Sequence, residues 1–122
     1  NFRNTRPGDF VVVSNRLGLS HIETIRRVTD CIETNGSIYE EETLKYDFDG
    51  RYINETSYND FGRRIERMAT PEESDAYIAD LDRYRANAKI RSIAHDVECL
   101  SDRVVYAILE TYERERNETA SR

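Results

Sequence analysis

Thr70-Pro71-Glu72-Glu73 divides the chain into two kinds of sequence. The Thr70 hydroxyl can accept from the Glu73 amide, and the Glu73 carboxylate can reach back to the Thr70 amide, which makes a capping box. Pro71 falls at the first helical position, where its missing N–H costs nothing. Glu72 and Glu73 suit the positive end of a helix dipole. The spacing therefore predicts a helix opening at Pro71. It predicts a boundary there too, with a body over 1–69 and a helical arm over 70–122.

Upstream of that boundary the chain is cut into short β-prone runs by turn residues. Pro7-Gly8-Asp9 precedes "FVVVS", a first strand. "HIETIRRVTDCIET" fits helical spacing as well as strand, but Thr24, Ile25, Val28, Thr29 and Ile32 favour strand. Asn35-Gly36 then suits a type I′ hairpin turn, with "SIYEE" returning. In "TLKYDFDGRYI", Leu44, Tyr46 and Phe48 alternate with polar residues, and Asp49-Gly50 turns the chain. "RRIERMA" offers a last strand, in which alternation puts Arg63, Ile65 and Arg67 on one side. Five or six short strands in so few residues predict a small closed barrel, because an open sheet of this size leaves unpaired edges. The expected class is α+β: a small antiparallel β-barrel of the Src-homology-3 type, then a long helix and a second helix.

Downstream, Tyr77, Leu81, Tyr84 and Ala88 form one apolar stripe at helical spacing. Ile90, Ile93, Val97 and Leu100 form another, rotated by about 200° at 100° per residue. One straight helix cannot bury both stripes on one body. Ser101 then caps a second helix with Val104, Val105, Ile108, Leu109 and Tyr112 on its apolar side. A helix from Pro71 to Cys99 would be about 43 Å long, roughly twice the width of a five-stranded barrel at its strand spacing. The expectation is an overhanging rod whose second stripe needs the last helix, a second copy or a partner to cover it.

The order "GDFVVV … RVTDCIETNGSIYEE … DGRYIN … IERMATPEE" resembles a loose family of short phage-encoded proteins with an N-terminal small β-barrel. The matching pieces are Gly8-Asp9, Val28-Thr29, Gly36 with Tyr39, and Ala69 to Glu73, and "LSDRVVYAIL" looks like the closing helix. Asp30-Cys31 and the acidic run Glu40-Glu41-Glu42 depart from the pattern. The resemblance implies a viral origin and a small barrel. It carries over no catalytic residue.

Chemistry-bearing patterns are few. His21 and His95 lie far apart, and Cys31 and Cys99 lack second ligands at metal spacing. "KYDFDG" fails as a calcium loop, since Lys45 and Thr56 fall where an oxygen ligand and a bidentate Glu are needed. The five glycines make no phosphate loop. No catalytic residue, metal ligand or cofactor site is read, and the expectation is a non-enzymatic protein. The net charge of −6 disfavours general nucleic-acid binding. No stretch is apolar enough to span a bilayer and no signal peptide is visible, so a location in the host cytoplasm, away from membranes, is expected.

Three functions follow from these residues. The first is a viral accessory protein that binds and inhibits a host protein or nucleoprotein complex, such as defence or transcription machinery. Its contacts would be Asp75, Asp80, Asp82 and Glu98 on an acidic helical arm, with Ile90, Ile93 and Val97 beside them. The second is a nucleic-acid-binding barrel using Tyr58, Phe61, Arg63, Arg64 and Arg67. The third is a self-assembling scaffold component, with the second stripe buried in a homodimer.

Overall fold

Alternation of apolar residues builds the first part of the chain into a sheet. A computed structural model of the chain describes residues 1–39, 42–53 and 62–120. It shows an α+β protein. Five antiparallel strands, β1 (Phe10–Ser14), β2 (Ser20–Val28), β3 (Ile32–Thr34), β4 (Leu44–Tyr46) and β5 (Arg64–Met68), form one curled sheet in the order β4-β3-β2-β1-β5. Arg51 and Tyr52 link its two edges. Tyr52 bridges Tyr46 in β4, and Arg51 bridges Arg64 in β5. The sheet is thus half of a barrel drawn toward closure, which leaves little edge unpaired.

The concave face takes every second residue. Val11 and Val13, Ile25, Ile32, Leu44, Tyr46 and Ile65 form the buried core, with Phe2, Val28, Phe48 and Tyr52 packed around it. Phe10 lies on the other face of β1 and meets Tyr77 edge-on at 5.3 Å between ring centroids. Tyr77, the first residue of the helix's first apolar stripe, is therefore spent on the sheet.

Three details differ from the sequence reading, each for a local reason. The chain reverses after Val28, at Thr29–Cys31, where the Thr29 amide donates to the Cys31 carbonyl at 3.1 Å. "HIETIRRVTDCIET" therefore holds two strands and the turn between them. Asn35-Gly36 is not a type I′ turn, because Gly36 has φ 73° while no described residue other than glycine has positive φ. Ser37–Tyr39 are not a strand, and β3 pairs instead with β4, Ile32 opposite Tyr46. In β5 the expected alternation breaks. Val12 pairs with Arg67 but Val13 with Ile65, a bulge that leaves Glu66 extra and turns Arg67 outward.

The capping box forms as expected. The Glu73 amide donates to Thr70 Oγ1 at 3.2 Å, and the Thr70 amide to Glu73 Oε1 at 2.9 Å. Helix α1 (Pro71–His95) follows, then a 3-10 turn (Val97–Cys99) and α2 (Asp102–Ala120). Ser101 Oγ receives the Val104 amide at 3.4 Å. Two compact units result, 1–82 and 83–122, so the first turns of α1 belong with the sheet. Among the described residues no helix is long and apolar enough to cross a membrane.

The Asp47–Arg51 turn is held tightly. Asp47 Oδ1 accepts from the Asp49 and Arg51 amides at 3.0 and 2.8 Å, and Gly50 takes φ 91°. A Cβ on Gly50 would stand 2.6 Å from the Ile65 carbonyl oxygen. Gly18 has φ 79° with open space around it. Gly50→Ala should therefore cost roughly 2–4 kcal/mol and Gly18→Ala about 1 kcal/mol. Urea denaturation measures both; equal costs would contradict the close approach at Gly50.

Candidate functional site

From Arg83 onward the chain has the pattern of two amphipathic helices but no core. No described residue of this unit is buried. α1 and α2 do not pack along their lengths. They open around a groove of about 980 Å³ lined by Ile90, Ile93, Val104, Ala107, Ile108 and Tyr112. Ile90 and Tyr112 are each 62% exposed, and Ile93 is 37% exposed. Val97 in the 3-10 turn is exposed as well, as are Tyr106 and Leu109 on α2. Isolated helices of this length are marginal in water, and most helical stability in proteins comes from packing the apolar side. Seven large exposed apolar groups on two helices therefore make the principal candidate surface among the described residues.

The sequence-derived contacts fall unevenly. Ile90, Ile93 and Val97 lie on this open surface, and Glu98 is exposed in the 3-10 turn beside them. Asp75, Asp80 and Asp82 are exposed on α1, but within the sheet unit. This changes the electrostatic picture. Residues 1–82 hold ten basic and seventeen acidic residues, a net −7, and residues 83–122 hold eight and seven, a net +1, which together give the −6 of the chain. The open helical unit is close to neutral, so the acidic arm expected from the sequence is not what this unit presents.

The basic candidates separate. Tyr58 and Phe61 lie outside the described residues. Arg67 is outward and holds Glu73 through two bonds of 2.6 and 2.9 Å. Arg64 is exposed, 3.6 Å from Glu66, and stands opposite Arg51 across the edge bridge. Arg63 points inward and is buried.

Arg63 leads to a second cluster that sequence reasoning missed. Glu23 on β2 is fully buried. Its Oε1 accepts from Thr34 Oγ1 at 2.5 Å and from Tyr46 Oη at 2.8 Å. Its Oε2 accepts from Arg63 Nη2 and from His21 Nε2, the latter at 2.5 Å. Arg63 Nε also donates to Tyr46 Oη at 2.9 Å. Burial alone would raise the Glu23 pKa, but His21, the Arg63 charge and Thr34 outweigh it and hold the carboxyl below its ordinary value. Burial and the Glu23 charge push the Tyr46 phenol well above its usual range. Among the described residues every buried side-chain polar atom has a partner. The four bonds to the Glu23 carboxylate tie β2, β3, β4 and Arg63 together. His21, Glu23 and Ile25 share one strand parity, and that was the available signal.

Beside His21 lies a smaller groove of about 490 Å³, with Ile38, Tyr39, Tyr77 and Asp80 among its walls. Among the described residues no group of three His, Cys, Asp or Glu is placed to hold a metal ion. Cys31 and Cys99 are free, Cys31 half-buried and Cys99 exposed. The chain matches no family model, no curated protein and no solved structure.

Removing the carboxylate while keeping its shape would leave Arg63 buried without its counter-charge. Glu23→Gln should cost roughly 3–5 kcal/mol. The Glu23 pKa is lowered in the folded state, so its contribution is present above the unfolded value near 4.5 and fades as pH falls through the folded one. Glu73, held to about 2 by the Arg67 bonds first and the Thr70 amide next, acts in the same direction. Denaturation series between pH 6 and pH 2.5 should show wild-type stability falling, with a shallower fall in Glu23→Gln. An identical slope would contradict the assignment.

Proposed function

We propose that the protein is a non-enzymatic interaction factor that works by docking the open side of α1 and α2 on another protein chain. One observation carries this reading. The unit from Arg83 onward displays Ile90, Ile93, Val97, Ile108, Leu109 and Tyr112 and buries none of its described residues. The resemblance to phage-encoded small-barrel proteins supports a viral accessory role against a host protein or nucleoprotein complex, with inhibition as the outcome of docking. The charge supports a basic target, and it places the complementary acid on the sheet unit, with Asp75, Asp80 and Asp82 on its part of α1. The nearly closed sheet of short antiparallel strands supports an SH3-like small barrel as its finer identity.

Nucleic-acid binding has a single favourable observation. Arg51 and Arg64 face each other across a strand pair next to Tyr52, and like charges so placed favour an anion between them. The −7 of the unit that carries them weighs against it.

A photo-crosslinking residue in place of Tyr112 tests the docking reading inside host cells. The expected result is a protein adduct of defined mass at position 112 and none at Arg16 on the sheet unit. No adduct from position 112 at any expression level would overturn the reading.

A further inference from the structure

We propose that the groove between α1 and α2 is filled by the helices of a second copy of this chain, in a two-fold arrangement that sets α1 of each copy beside α2 of the other. The inference rests on the docking reading and names its partner.

Stability states the need. The unit from Arg83 to Arg122 has forty residues, and chains of about that size usually require a disulfide, a metal or oligomerisation to fold. Its one cysteine, Cys99, is free, and among the described residues no metal-holding group exists. Oligomerisation remains. Ile90 and Tyr112 are each 62% exposed, and Ile93, Val97, Ile108 and Leu109 between 37% and 51%, a set of large side chains of the kind that fills the roughly 800 Å² each partner contributes to a standard interface.

Charge selects the second copy as occupant. Between Arg83 and His95, α1 carries Arg83, Arg85, Lys89 and Arg91 and no acidic residue. Between Glu110 and Glu118, α2 carries four Glu and two Arg. None of these side chains forms an ion pair with another described residue. On a helical wheel Arg83 and Lys89 flank the Ile90–Ile93 stripe within about 70° on either side. Glu115 lines the groove, and Glu118, three residues on, lies about 60° from it on a helical wheel. A two-fold axis makes every such contact twice, since if α1 meets the other copy's α2, the reverse holds too. The net charge of +1 lets two such units meet with little repulsion, whereas the −7 of residues 1–82 repels its own copy. The α2 helix is also apolar beyond the side facing the groove, at Leu109 and Tyr106. A helix inserted between two others needs such a second apolar side.

Sedimentation equilibrium on the full chain, from about 1 to 200 µM, tests the proposal. The wild type should reach twice the chain mass. Two charge-reversed variants, Arg83→Glu/Lys89→Glu and Glu115→Lys/Glu118→Lys, should each dimerise at least tenfold more weakly. An equimolar mixture of the two should recover dimer, because each then supplies what the other has lost. A wild type that stays monomeric at 200 µM, or a mixture no better than its components, overturns the dimer. The crosslinking experiment separates the two levels. An adduct from position 112 to a host protein, with a monomeric wild type, sinks the second copy and keeps the docking reading; no adduct at all sinks both.

Discussion

A helix in water is held chiefly by what its apolar side touches. From Arg83 onward this chain has two helices, α1 and α2, whose apolar sides open on a groove and bury none of the described residues. Propensity does not compensate. The segment holds β-branched residues at Ile90, Ile93, Val97, Val104, Val105 and Ile108, which lose rotamer freedom in a helix and are normally repaid by packing. An uncovered helical unit of this composition is incomplete. On the docking reading we propose, the covering group is part of the protein's working form.

The sheet unit has the opposite character. Its concave face is filled, and the buried Glu23 carboxylate accepts from His21, Arg63, Thr34 and Tyr46. Replacing such a cluster with apolar residues need not lose stability, whereas removing one member leaves a buried charge unpaired. A saturated network of this kind specifies register, because Glu23, Thr34, Tyr46 and Arg63 come from four different parts of the sheet and meet only in one pairing. Closure through Arg51 and Tyr52 depends on the same register.

Much of this was legible in the residues. The capping box at Thr70 and Glu73, the strands at Phe10–Ser14 and Arg64–Met68, and the opposed stripes of α1 all follow from spacing and local hydrogen-bonding chemistry. The misreadings came from interactions outside the local window. A bulge opposite Val12 and Val13 changed the parity of β5 after Ile65, so Arg67 turned outward while Arg63 stayed on the inward side with Ile65. The run from His21 to Thr34 read ambiguously because its reversal at Thr29–Cys31 lacks a glycine or proline to announce it. With that parity unknown, Glu23 passed as one more charged residue. Asp75, Asp80 and Asp82 lie on α1, but in the compact unit of residues 1–82 rather than in the one from Arg83 onward, a division that local spacing does not show.

The central claim is that burial from outside the single chain holds the helices after Arg83. Amide hydrogen exchange measured across protein concentration tests it most directly. Amides in 84–95 and 103–112 should gain protection as concentration rises, while those in Val11–Val13 and Glu23–Ile25 stay equally protected throughout. Strong protection of both helical stretches that does not change down to nanomolar concentration would show that a lone chain holds them, and would contradict the account.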